Sequence, residues 1–156
     1  MGQYHYVANL EKREYVDPNG IGSGLKAWEQ AMNLPGTPIA LFLLTIAQNG
    51  RGGGDFNPEL NWDIEENPDG VIGRWAGDRI AIIGDYWEPT DEVALKNNLH
   101  GLWDTKGEDW LDITVLCREC MNQCGLGGKY EEKTYDFDPT YKYWSFVRPK
   151  EEEQYA

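Results

Sequence analysis

Two glycine-rich tracts are the residues of this chain best suited to chemistry. The first is Gly20-Ile21-Gly22-Ser23-Gly24 and the second Gly50-Arg51-Gly52-Gly53-Gly54-Asp55. Glycine lets backbone amides come close to a bound group, and a helix start at Ser23 adds donors for an anion. Lys26 and Arg51 would supply full positive charges, with Arg74 and Arg79 joining from a nearby strand. The chemistry this suggests is capture of a phosphate-bearing small molecule by Gly22, Ser23, Gly24, Lys26, Arg51, Gly52, Gly53, Gly54, Arg74 and Arg79. The plainer reading is two flexible turns. Neither tract is a phosphate-loop fingerprint: no Gly-Lys-Ser/Thr follows, and the glycine spacing at 20, 22 and 24 is wrong for a dinucleotide fold.

Carboxylates form a second constellation. Asp55, Asp78 and Asp85 each follow a glycine, and acids at strand ends can act as bases or hold a metal ion. Most Gly-Asp pairs are turns, and no histidine lies near in sequence. Cys117, Cys120 and Cys124 occur as Cys-x2-Cys-x3-Cys, which on a helix is one stripe. A zinc site would need a fourth ligand that the local sequence lacks, with His5 and His100 both remote, and small buried side chains on a helix face explain the cysteines equally simply. The alternating oxygen-bearing residues Asp63, Glu65, Asn67 and Asp69 echo a calcium loop, but Pro68 stands where its glycine belongs and Arg74 where its last glutamate belongs. Ser23-x-x-Lys26 lacks the companion motifs of a serine acyltransferase.

The elements that would hold these groups follow from the patterning. Gln3 to Ala8 and Arg13 to Val16 read as a hairpin, stopped by Asp17-Pro18-Asn19-Gly20. Ser23 caps a helix near 24–33. Thr37 caps a second near 38–48, with Pro38 in its first position and an apolar surface nearly all round. A short break between these helices favours an antiparallel pair, and this would bring the two glycine tracts side by side. Ile80-Ala81-Ile82-Ile83, closed at both ends by Gly-Asp, reads as a central buried strand near 79–84, paired with the N-terminal segment and the C-terminal part of the chain. Helices near 90–99, capped by Thr90 and ended by Gly101, and near 109–123 follow. Two closing strands come last, separated by Asp138-Pro139-Thr140. The expected fold is α+β, a single domain over 1–150 with a mixed or mostly antiparallel sheet and an acidic tail over 151–156.

Bulk properties narrow the function classes. At 156 residues the chain fits one core, and seven Trp and nine Tyr mean that large rings supply much of the burial and leave some rings for recognition. A formal net charge of −13 argues against binding nucleic acid polymers or anionic membranes. The longest apolar run, Pro38 to Ala47, is about half of a membrane span. An odd number of cysteines and the lack of a secretory pattern point to a cytoplasmic setting, and no cofactor motif is present.

Three segments, Met1 to Tyr15, Asn49 to Asp55 and Arg74 to Tyr86, together resemble a family of short uncharacterised proteins of bacteria and their phages. They cover about the first 90 residues and carry over no activity or site residue. The resemblance implies a cytosolic setting and a phage or mobile-element origin. The leading expectation is thus a non-enzymatic protein that captures a nucleotide-like small anion and acts by sequestration in the manner of anti-defence proteins. An acidic inhibitor that occupies a host protein and a metal-assisted hydrolase built on Asp55, Asp78 and Asp85 are the alternatives. Oligomeric state is not set by the sequence.

Overall fold

The computed structural model describes residues 3–24, 26–47, 70–105, 107–124 and 127–149. In chain order it contains β1 (His5–Asn9), β2 (Glu14–Val16), a 3-10 turn (Pro18–Ile21), α1 (Ala27–Met32) and α2 (Gly36–Thr45). After these come β3 (Ile80–Gly84), α3 (Glu92–Lys96), α4 (Gly101–Asp104), β4 (Leu111–Asp112), α5 (Thr114–Gln123), β5 (Lys129–Tyr135) and β6 (Asp138–Val147). The class is α+β as expected, with a four-stranded sheet in the order β3-β1-β2-β4 and a separate two-stranded ribbon, β5-β6.

The N-terminal hairpin forms because Asn9 organises its turn. The Asn9 side-chain oxygen accepts the amides of Glu11 and Lys12, both at 2.8 Å, and the following Arg13 takes a left-handed backbone at φ 58°. This sets the register Val7↔Val16, Ala8↔Tyr15, Asn9↔Glu14. Side chains alternate across a strand, so Val7 and Ala8 face opposite ways. Val7 and Val16 join a cluster with Leu43 and Leu44 of α2 and Cys117, Cys120 and Met121 of α5. Ala8 joins Ile83, Ala94, Leu99, Leu102 and Trp110 on the other face. The sheet thus has a hydrophobic cluster on each side.

β1, not β3, is the buried central strand. β3 lies at the sheet edge, pairs only with β1 among the described strands, and leaves Ile82 61% exposed. A run of β-branched residues looks alike in a buried and an edge strand; the number of neighbours decides between them, and the C-terminal strands that would have supplied the second neighbour pair with each other. Their turn falls at Asp136-Phe137, so Asp138-Pro139-Thr140 opens β6 instead of separating the strands.

The helix boundaries also move. The Ser23 hydroxyl, fully buried, accepts the Thr37 amide at 2.7 Å and so serves the start of α2 instead of α1. α2 begins at Gly36, two residues earlier than Pro38, and the buried Thr37 hydroxyl has no partner among the described residues. The Lys26 amide at the start of α1 is met by the Glu29 carboxylate at 3.1 Å. The expected helix near 90–99 is shorter, and Gly101 opens α4 instead of ending a helix. At the far end of α2 the last-turn carbonyls of the buried Leu43 and Leu44 accept the amides of Gly73 at 2.9 Å and Trp75 at 2.8 Å, which seats the chain before β3 against the helix.

Candidate functional site

The first glycine tract is a folded joint, not an amide cradle. Asp17 caps the 3-10 turn by accepting the Asn19 amide, while the Gly20 amide goes to the Asp17 carbonyl at 3.0 Å and the Gly22 and Ser23 amides go to the Pro18 carbonyl. Gly22, at φ 69°, lies so close to β6 that a Cβ there would sit 3.1 Å from the Trp144 carbonyl oxygen. Gly22 and Ser23 therefore hold the fold. α1 has six residues, too few to act as an anion site through its dipole.

The two arginines expected from the strand are committed elsewhere. Arg74 reaches both carboxylate oxygens of Glu14, with Nη2 at 2.6 Å, and the Trp75 indole donates to the same carboxylate at 2.9 Å. Both partners of this ion pair are largely buried, an arrangement in which each charge needs the other. Arg79 pairs with Glu11 at 2.7 Å on the surface. Arg51, Gly52, Gly53, Gly54 and Asp55 lie outside the described residues, as does the expected pairing of the two glycine tracts.

Gly24 and Lys26 remain, and they line a cavity of about 450 Å³ whose opposite wall is the tip of the β5-β6 ribbon. The wall is aromatic. Tyr135 stacks with Phe137 at 4.9 Å and 27°, with Tyr143 at 4.7 Å and 26°, and approaches Tyr141 at 5.3 Å. Tyr4, Asn19, Glu29 and Asp138 complete the lining, so one lysine and two carboxylates border the aromatic wall. The Asn19 side-chain amide donates to the Tyr141 hydroxyl at 3.2 Å and to the Lys142 carbonyl at 3.4 Å, tying the ribbon tip to the 3-10 turn.

The ribbon is anchored at its other end. Tyr130 donates its hydroxyl to the Ile21 carbonyl at 2.7 Å, and Arg118 of α5 lies 3.6 Å above the Trp144 ring while donating to the Gly20 carbonyl. Titratable groups at and beside the cavity are shifted by burial and by their immediate neighbours. Burial, together with the neighbouring Tyr135 and Asp17, raises the Tyr141 phenol. Hydrogen bonds from the Thr140 hydroxyl and amide lower Asp138 and keep it a carboxylate. Burial raises Asp17, against the pull of the Asn19 amide.

The aromatic wall was not among the residues expected from the sequence. Its signal was present: Tyr135, Phe137, Tyr141 and Tyr143 occupy alternate positions, the period of one face of a ribbon.

The remaining constellations are structural where the fold describes them. Asp78 accepts from Asn9 at 2.9 Å and from the Lys12 ammonium, closing the β1-β2 turn, and these bonds lower its pKa. Asp85 accepts the Tyr4 amide at 2.9 Å while its own amide donates back to Tyr4. The two aspartates flank opposite ends of β3, roughly 20 Å apart by strand rise, so they do not share one ion. Cys117 and Cys120 are fully buried in the core, and burial pushes the Cys117 thiol up to about 12. Cys120 and Cys124 stand 3.9 Å apart, and the bond between them, helped by burial, raises Cys120. No group of three or more metal-ligating side chains occurs among the described residues, and no described helix is long and apolar enough to cross a membrane.

No protein-family model, curated protein or solved structure matches the chain.

Proposed function

We propose that this protein is a small-molecule binding protein whose ligand is nucleotide-like and held in the cavity between Gly24-Lys26 and the ribbon tip. The observation that carries the reading is the meeting, across about 450 Å³, of a lysine and a glycine with a floor of Tyr135, Phe137 and Tyr141. A planar base stacks on aromatic rings, and a phosphate is met by an ammonium at the rim. The Glu29 and Asp138 carboxylates suit ribose hydroxyls, which donate to acids. The net charge of −13 slows approach of an anion, so affinity has to come from stacking and shape more than from steering. The role this supports is retention of a ligand, as in sequestration of a signalling nucleotide, with no turnover.

The test is thermal unfolding in the presence of mono-, di- and cyclic nucleotides. A ligand at 100 times its dissociation constant adds about 2.7 kcal/mol to the folded state. Lys26 is exposed and Phe137 is 84% exposed, so Lys26→Ala and Phe137→Ala leave the fold intact and are expected to abolish the shift. A panel with no shift, or a shift that both variants retain, overturns the reading.

A further inference from the structure

β3 is an edge strand with one neighbour, β1, among the described strands. The bonds from the Leu10 amide to the Arg79 carbonyl and from the Asp85 amide to the Tyr4 carbonyl fix the rungs of the β1-β3 ladder. With the register Tyr6↔Ile83 and Ala8↔Ala81, the bonded rungs fall at 79, 81, 83 and 85. The backbone donors and acceptors of Ile80 and Ile82 therefore point outward, where no described strand pairs with them. Native edges of this kind are protected by charge, proline or a bulge. Ile80-Ala81-Ile82-Ile83 has none of these, and Ile80 and Ile82 are exposed. The opposite edge of the sheet, β4, is only two residues long.

Each face beside this edge carries its own recess. On the α1-α2 side a cavity of about 240 Å³ is walled by Ala27, Ala31, Pro38, Leu41 and Ile82. On the α3 side a cleft of about 700 Å³ runs along β3 past Asp91, Glu92 and Val93, with no lysine or arginine among the described residues that line it. Side chains of an added strand alternate between two faces, so one set would enter the apolar recess and the next set the acidic cleft.

We infer that the β3 edge is a docking site for an extended, basic segment of a partner protein, in which lysine or arginine alternates with β-branched residues. The charge of the cleft selects this occupant over a second copy of the chain. Two copies would bring Asp91 and Glu92 of each against the other on molecules of net charge −13.

The probe is a fluorescein-labelled decapeptide of alternating lysine and valine, followed by anisotropy. The expected result is saturable binding that weakens at least about tenfold when alternate backbone amides of the peptide are methylated, and weakens with salt. Ile82→Pro removes an outward donor without touching the β1 rungs, and is expected to abolish binding. Ile82→Lys keeps the strand and repels the peptide, giving the same loss should the proline variant fold poorly. Glu92→Gln is expected to weaken binding and to flatten its salt dependence. No binding, equal binding of the methylated peptide, or unchanged binding by Ile82→Lys overturns the inference. So does a wild-type dimer in sedimentation that Ile82→Lys dissolves, since the edge would then belong to a second copy.

Discussion

Asp78 shows how one carboxylate can be a fastener and a pH sensor together. Its bonds to Lys12 and Asn9 lower its pKa in the folded chain, so in acid the unfolded chain takes up a proton before the folded one does. The stability this adds is complete above the ordinary aspartate range and is lost as pH falls through the folded value. Asp17 has the opposite sign, because burial raises its pKa and the folded chain binds the proton first. Urea unfolding between pH 7 and pH 3 separates the two. Asp78→Asn is expected to be less stable than wild type at neutral pH and to converge with it in acid. Asp17→Asn is expected to lose the part of the profile that rises as pH falls. If the Asp78→Asn and wild-type curves run parallel across the range, the carboxylate is not fastened as described.

At the level of elements, the sequence was readable wherever a single local interaction decides the outcome. The hairpin follows from Asn9 and its turn, and the stop after β2 follows from Asp17-Pro18, where Asp17 caps and proline leads the 3-10 turn. It was unreadable where contact across the fold decides. Ser23 and Thr37 are both cap-type residues, yet Ser23 caps a helix that starts thirteen positions later because Gly36 folds against it. The edge position of β3 depends on β5 and β6 choosing each other, which no local pattern records. For the cavity, Gly24 and Lys26 were legible, but their aromatic wall lies more than a hundred residues downstream. The Ser23-Gly36 joint makes a quantitative prediction. Ser23→Ala leaves the Thr37 amide without its acceptor and is expected to cost about 1–2 kcal/mol. Gly36→Ala should cost more, since Gly36 has φ 29° and its Cβ would lie 2.1 Å from the Ser23 oxygen. In the Ser23→Ala background that overlap is gone, so the double variant is expected to be more stable than the sum of the two losses allows. Strict additivity in a denaturant series would mean the residues do not touch.

For the molecule as a whole the governing quantity is a net charge of −13 on 156 residues. Such a charge repels itself in the compact state, and dissolved salt screens that repulsion over a Debye length of about 10 Å at 0.1 M. Salt also weakens attractive surface pairs, among the described residues Arg79 with Glu11, Lys142 with Glu132 and the partly exposed Lys12 with Asp78, but solvent already screens such pairs and each contributes little. The Glu14-Arg74 pair, with side chains 5% and 12% exposed, is shielded from screening by its burial beneath Trp75. Repulsion is therefore the larger salt-sensitive contribution, and the melting temperature is expected to rise steadily as sodium chloride goes from low to moderate concentration. The same salt would weaken a basic peptide at β3 while hardly affecting base stacking in the ribbon cavity. Stability and peptide affinity should consequently move in opposite directions along one titration. A melting temperature that falls with salt would show that surface pairing, not self-repulsion, dominates the electrostatics of this chain, and would remove the charge argument for a basic partner with it.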